Sequence, residues 1–377
     1  MDVILVVNAG SSSVKVAVFD GTTEVISGAV SEIGGAARLK LAEVVRDLPV
    51  NDHRAAVATL LTALDNAGYA LARFTAAAHR VVHGGASFVA PCRISSAVIA
   101  GIEACVPLAP LHNPANLAAI RALADLAPDL PQYASFDTAF HATAPEVATR
   151  YALPDHAEAL GIRRYGFHGL SYAALPARLT ELTGHLPRRV LAYHLGNGAS
   201  ACALREGRSV ATSMGYSPLE GLTMGTRSGS IDGMAVLRLA EAHGIEGAGR
   251  ILNRESGLLG LGGASNMRSL LASGEARARF AVAHFIYWAV RHGGSLIAAM
   301  GGLDAVVFTG GIGENAAPVR AGILDGLAFA GVAYDPVANV SGQGQLHKAT
   351  SDVAVWIVAA EEERQIAAEA LMVRERE

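Results

Sequence analysis

Val3-Ile-Leu-Val-Val-Asn-Ala-Gly-Ser-Ser-Ser-Val-Lys-Val-Ala-Val-Phe-Asp20 decides the reading of this 377-residue chain. Two apolar, β-branched runs, Val3 to Val7 and Val14 to Phe19, have the composition of strands buried on both faces. Between them Asn8-Ala-Gly-Ser-Ser-Ser13 is too small and too polar to be core. Gly10 lets backbone N–H groups approach an anion, while Ser11, Ser12, Ser13 and Lys15 add donors and one positive charge. The stretch therefore predicts a strand–loop–strand phosphate clamp. It is not a Walker A loop, which needs a Gly-Lys pair opening a helix; the chain has no such pair. A serine-rich hairpin that binds nothing is the bland alternative.

A second copy weighs against that alternative. Arg189-Val-Leu-Ala-Tyr-His-Leu-Gly-Asn-Gly-Ala-Ser-Ala-Cys-Ala-Leu204 again places a small-residue turn, Gly196 to Ser200, between apolar strands. One such hairpin in each half predicts a duplicated nucleotide-binding domain with a ligand in the cleft between the copies.

Bulk properties narrow the rest. A chain this long and 51% hydrophobic predicts two domains of ordinary size. A net charge of −4, with both signs scattered, offers no basic face to nucleic acid, yet a phosphorylated metabolite needs only a few local cations. Cys92, Cys105 and Cys202 form no C-x-x-C pattern and fit buried thiols in a reducing cytosol. No signal peptide is read at the start, and the apolar segment from Gly293 to Gly311 is interrupted by glycines and Asp304. The expectation is a soluble, cytoplasmic protein with no membrane partner.

Along the chain, Glu24 to Val30 and Leu39 to Ala42 extend the first sheet. His53 to Ala67 carries helical apolar spacing ended by Gly68. Ala76 to Gly85 predicts a central strand running into a glycine turn, where open α/β sheets place ligand groups. Pro107 to Pro114 is a stiff loop before a helix over Ala115 to Leu126, and Gln132 to His141 is a strand with a polar tip. Thr212 to Asp232 is a long loop whose Leu, Met and Tyr residues argue for order and function. Ala305 to Asn315 predicts a buried strand, a glycine turn and a helix suited to nucleotide phosphates. Val353 to Val358 is the last strand, and Glu361 to Arg376 an amphipathic helix with Ile366, Ala370 and Val373 on its apolar face.

Eight segments together resemble the acetate kinase family. They are Asn8 to Lys15, His79 to Gly85, Leu111 to Pro114, Phe136 to His141, Tyr165 to Gly169, His194 to Ser200, Leu219 to Arg227 and Thr309 to Asn315, collinear over nearly the whole chain. The resemblance implies two duplicated α/β domains of the actin, Hsp70 and sugar-kinase type (ribonuclease H-like) flanking a nucleotide cleft. The expected division is 1–148, completed by the helix at 364–377, and 149–363. It also implies reversible, direct in-line phosphoryl transfer between ATP and acetate, giving acetyl phosphate and ADP, with Mg2+ (or Mn2+) and a homodimer.

Phosphoryl transfer leaves the protein to supply charge, metal and alignment. By resemblance, Arg80, Asp137, His168 and Arg227 are the catalytic residues. Nucleotide and phosphate contacts fall to Asn8, Ser11, Ser13, Lys15, His194, Gly196, Asn197, Gly198, Gly311, Ile312, Gly313 and Asn315. Arg80, Val82, Leu111, His112, Phe167 and Pro218 surround the acid. Asn8, Asp137 and Glu362 hold the metal; Glu361, Glu362 and Glu363 are consecutive, so the register there stays open. A small carboxylic acid, with a pKa of about 4.3 like a Glu side chain, is already ionised and needs no base, which favours a metal role for Asp137. A single histidine among 13 has a structural reading too.

The chain departs from the family at Ala211, Ser230 and Asn266, where Asp is usual, and at Gly233, where Pro is usual. The region from Gly21 to Ala76 is also shorter than typical. Rival readings are a propionate or butyrate kinase, a sugar or polyol kinase with Asp137 as base, and a non-catalytic nucleotide binder. Pyrophosphate in place of ADP also stays open.

Overall fold

The computed structural model describes residues 2–342 and 344–377, the side chains at 157 and 158 aside. The chain divides into two compact units, one of Met1–Phe140 with Glu361–Glu377 and one of His141–Ala360.

The first unit is built on an eight-stranded sheet. Its strands are β1 (Val3–Gly10), β2 (Ser13–Asp20), β3 (Thr23–Ser31), β4 (Arg38–Leu41), β5 (Val44–Asp47), β6 (Ala76–Val81), β7 (Cys92–Arg93) and β8 (Gln132–Phe136), in the order β5-β4-β3-β2-β1-β6-β8-β7. The meander β1 to β5 is antiparallel, whereas β6 lies parallel to β1 and β8 parallel to β6. Strand alternation sorts β1 into two faces. Leu5, Val7 and Ala9 join a core with Leu60, Leu64, Ala119 and Leu123 from the helices His53–Asn66 and Asn113–Leu126. The opposite face of β1, β6 and β8 is covered by the helix Glu362–Arg374, which buries Ile366, Ala367 and Ala370. Even-numbered Asn8 and Arg80 fall on that second face, beside the start of the C-terminal helix.

The second unit repeats the pattern on five strands. These are β9 (Arg189–Leu195), β10 (Ala199–Arg205), β11 (Arg208–Thr212), β12 (Ala305–Thr309) and β13 (Ala354–Ile357), in the order β11-β10-β9-β12-β13. Here an antiparallel meander of three strands, shorter than the five-strand one of the first unit, is followed by two parallel strands. The 25-residue helix Ala276–Met300 packs on β9 to β11, where Gly293 is required: a Cβ there would lie 2.0 Å from the Tyr193 hydroxyl. Among the described residues no helix is long and apolar enough to cross a membrane.

Several boundaries differ from the sequence expectation, among them the strand expected over Gln132 to His141, which ends at Phe136 and gives way to a helical turn over Ala139–Thr143. The first hairpin loop is only Ser11-Ser12, because Asn8, Ala9 and Gly10 continue the ladder opposite Lys15, Val14 and Ser13. The helix expected from Ala115 starts at Asn113, since proline is tolerated in a first turn whose N–H groups are unpaired anyway. Gly310–Asn315 is itself a helix following β12 directly, with Gly310 at φ +79°, so no separate glycine turn intervenes. Cys105 and Cys202 are buried as expected, while Cys92 is half-buried.

Candidate active site

In the first unit, strand ends assemble a cluster of opposite charges. Arg80, from the end of β6, donates from Nε to Asp137 Oδ1 at 3.1 Å and from Nη2 to Oδ2 at 2.6 Å. Its Nη1 donates to Asn8 Oδ1 at 3.4 Å, and Glu362 Oε2 lies 3.9 Å from its Nε. Asn8 Nδ2 in turn donates to Glu363 Oε1 at 3.5 Å. Asp137 is 1% exposed and the Arg80 side chain 21%. Burial would lower the guanidinium pKa, but Asp137 first and Glu362 second raise it far above its ordinary value. Arg80 stays charged at any working pH.

The first hairpin reaches this cluster through Asn8. Lys15 faces Asn8 across the ladder and lines a cavity of about 500 Å³ that Glu363 also lines. Ser11 and Ser12 are exposed at the tip and Ser13 is half-buried. His53, which the sequence did not single out, donates from Nε2 to Gly10 O at 2.7 Å and ties that tip to the helix His53–Asn66. Of the residues the resemblance assigns to the acid in this unit, Val82 is buried, His112 half-buried and Leu111 47% exposed.

In the second unit, His168 takes a left-handed conformation (φ 57°, ψ 25°) just before the helix Gly169–Thr183. For a non-glycine residue this costs on the order of 1–3 kcal/mol and concentrates at functional sites. Surrounding bonds hold it there. His168 Nδ1 meets Ser200 Oγ at 2.8 Å, the Tyr172 hydroxyl meets the same Oγ at 2.5 Å, and the ring stacks on His194 with centroids 4.2 Å apart. His194 Nδ1 is bonded to Ser171 Oγ at 2.9 Å. Just upstream, His141 donates from Nε2 to the carbonyl of buried Phe167 at 3.0 Å. Gly166 is forced, because a Cβ there would lie 2.6 Å from the His141 ring.

The turn between β9 and β10 sits against this histidine pair. A Cβ on Gly198 would be 3.2 Å from His168 Nε2 and 3.9 Å from Arg227 Nη1. The 213–232 segment, irregular but largely buried, is laced onto that turn: Gly225 N donates to Asn197 O at 2.9 Å, and Arg227 Nη1 to Pro218 O at 3.2 Å. Burial pushes the Arg227 pKa below its ordinary value, and among the described residues no carboxylate pairs with it. A partly buried guanidinium with no counter-ion is a place for an anion.

Gly196, Asn197, Gly311, Ile312 and Asn315, all assigned to the nucleotide by the resemblance, line one cavity of about 550 Å³. Gly313 does not line it; it is buried against Phe308 and Leu195. Ser265, Asn266, Met267 and Arg268 also line it, with Leu271, Ala316 and Pro318, and of these the sequence singled out Asn266 alone, as a departure. A usable signal existed at Arg268, a cation in the first turn of a helix, where the dipole disfavours it. Asn266 accepts from Arg268 N and Ser269 N, so it caps the helix as an Asp would.

Residues 3–368 match the model of the Acetokinase family. The chain belongs to the acetokinase family. It is 44% identical to an acetate kinase of Rhodopseudomonas palustris, over 97% of both chains. Among solved structures it is similar to Porphyromonas gingivalis acetate kinase, 37% identical over 99% of this chain and 100% of that one, with a TM-score of 0.92. It is equally similar to a propionate kinase of Francisella tularensis, 36% identical over 98% and 99% of the two chains, with a TM-score of 0.93. The duplicated α/β architecture expected from sequence is thus that of an acetokinase.

For a metal, Asn8, Asp137, Glu362 and Glu363 offer hard oxygen donors of the kind Mg2+ takes. Among the described residues no three His, Cys, Asp or Glu side chains converge to cage an ion. That donor set fits Mg2+, which keeps several waters and completes its shell with substrate phosphates.

Proposed function

We propose that the chain is an acetate kinase, catalysing reversible, Mg2+-dependent transfer of the γ-phosphoryl group of ATP to acetate. The observation that carries this reading is Arg227: a partly buried guanidinium without a carboxylate partner among the described residues, beside His168 and the Gly196–Gly198 turn. It is an anion cradle on a scaffold belonging to a family of acid kinases.

An acetate oxygen attacks the γ-phosphorus as the bond to the β–γ bridging oxygen breaks, leaving ADP; no proton moves, because the acid is already ionised. Arg227 and His168 stabilise charge on the transferring group, and Arg80 serves the same reaction from the first unit. Asp137 holds the Arg80 fork in one orientation. Asn8, Asp137 and Glu362 would hold Mg2+, which supplies charge neutralisation on the phosphates when bound. The cavity lined by Gly196, Asn197, Gly311, Ile312 and Asn315 receives the nucleotide. For the acid, the first unit offers Val82, Leu111 and His112, and the second offers Phe167 and Pro218. The likeness to a propionate kinase supports a second reading with the three-carbon acid, since one methylene is worth only ~1–3 kcal/mol of discrimination.

The reading includes a homodimer. Ile231, Met234 and Leu237, Ile245 beyond the kink at Gly244, and Phe280 and Tyr287 on the helix Ala276–Met300 are exposed apolar side chains of the second unit that a second copy would cover. Light scattering should give twice the chain mass of 38.8 kDa. The functional test is the hydroxamate assay for acyl phosphate formed from ATP, Mg2+ and acids of two to four carbons, with glycerol and glucose as controls. Acyl phosphate from acetate is expected. Phosphorylation of glycerol or glucose with none of acetate would overturn the reading.

A further inference from the structure

We infer that Asn116 is a positioning residue that sets the spacing between the phosphate hairpin and the backbone just beyond Arg80. β1 and β6 run as parallel partners from Ile4 opposite Ala76 to Val7 opposite His79, and there their ladder ends. Past that point the Asn116 side chain takes its place. Its Oδ1 accepts from Val82 N at 3.1 Å, and its Nδ2 donates to Ala9 O at 2.7 Å. A carbonyl can only accept and an amide N–H can only donate, so the orientation of the amide is fixed by its neighbours. In effect one peptide-like group, 1% exposed, is spliced between two strands that have begun to separate.

The neighbouring bonds follow the same plan. Asn113, one helical turn earlier on the same face, accepts from His83 N and donates to His83 O. Thr138 accepts from Gly84 N, and His83 Nδ1 from Gly85 N. Four consecutive backbone N–H groups, 82 to 85, are thus bonded to side chains and not to a strand. Of these side chains, Asn116 also bonds to the hairpin. Ala9 follows Asn8, Val82 lies two residues past Arg80, and Arg80 Nη1 touches Asn8 Oδ1 at 3.4 Å. The length of the Asn116 side chain therefore sets how far apart Asn8 and Arg80 stand. Asp lacks the donor, Leu lacks both groups, and Gln adds a methylene to the spacer. A displacement of about 1 Å in such a constellation is worth roughly a hundredfold in rate.

The inference rests on the acid-kinase reading, and the test separates the two. Wild type and the variants Asn116→Ala and Asn113→Ala are assayed for acetyl phosphate formation, with kcat, the KM for each substrate and thermal midpoints. Both variants delete a buried amide making two bonds to backbone, so both should lose similar thermal stability. Asn116→Ala should lower kcat at least thirtyfold with KM for ATP within threefold of wild type, while Asn113→Ala keeps kcat within threefold. Should Asn116→Ala be insoluble, Asn116→Thr, which keeps nearly the same volume and one bond, should still lower kcat at least tenfold. Equal losses of kcat in the 113 and 116 variants, or none in either, would make Asn116 purely structural and overturn the inference. A wild-type chain that phosphorylates no acid overturns the underlying reading, and this one with it.

Discussion

Replacing Arg227 by Ala should separate activity from stability. The side chain is partly buried and donates to Pro218 O, with no carboxylate partner among the described residues. Removing it strands no buried anion and relieves a desolvated cation, so folding should be unaffected or slightly favoured. Transition-state charge on the transferring phosphoryl group loses its guanidinium, a contribution worth about 10³–10⁵ in kcat in comparable phosphoryl-transfer sites. At ~1.36 kcal/mol per tenfold, that is about 4–7 kcal/mol of barrier. KM for ATP should move little, because the interaction strengthens only as charge develops. The assay is acetyl phosphate formation at saturating acetate, paired with urea unfolding of the same preparation. A variant within tenfold of wild-type kcat, or one whose urea midpoint drops by half or more, would refute the assignment.

The remaining predictions follow from the same residues. Arg80→Ala should behave oppositely in stability: it leaves Asp137 buried without its bidentate partner, and about 2–4 kcal/mol should be lost in urea unfolding, discounted for the part of Arg80 that is exposed; an unchanged midpoint would contradict this. Burial holds His79, His83 and His141 neutral down to about 4, below their ordinary 6.5, so the unfolded chain takes up their protons first as pH falls. Stability is therefore present above pH 6.5 and lost toward pH 4, by up to ~1.4 kcal/mol per pH unit per histidine. Urea midpoints at pH 7.5, 6 and 5 check it, and a flat series would contradict it. Gly233 opens a helix behind the Asp232 cap with open space at its Cβ, so Gly233→Pro should stabilise the fold by ~0.4–1 kcal/mol in thermal unfolding.

The strands were legible because runs such as Val3 to Val7 and Ala305 to Phe308 are apolar at every position, as strands buried on both faces must be. The repeated hairpin was legible for the same reason, with Gly196-Asn197-Gly198 as its punctuation. The exact reach of the first hairpin was not. Asn8, Ala9 and Gly10 have loop-like chemistry but continue the ladder, since pairing with β2 supplies hydrogen bonds that composition does not reveal. Choosing among Glu361, Glu362 and Glu363 needed the backbone: successive helical side chains diverge by roughly 100°, so Glu362 faces Arg80 while Glu363 meets Asn8. Asn116 and His53 were invisible for another reason. Their partners are backbone atoms, Ala9 O and Val82 N for one and Gly10 O for the other, and backbone atoms leave no sequence signature. Arg268 was overlooked because its cavity is shared with residues far away in sequence, Gly196 and Gly311.

The central claim is that an ionised carboxylate oxygen itself attacks the γ-phosphorus. Acetate labelled with 18O in both oxygens, incubated with the enzyme, Mg2+ and ATP, tests it by 31P NMR. The account predicts acetyl phosphate whose phosphorus resonance carries the upfield isotope shift of one directly bonded 18O, with ADP in equal amount. Acetyl phosphate without that shift, or no acetyl phosphate beside active wild-type turnover of ATP, would contradict it.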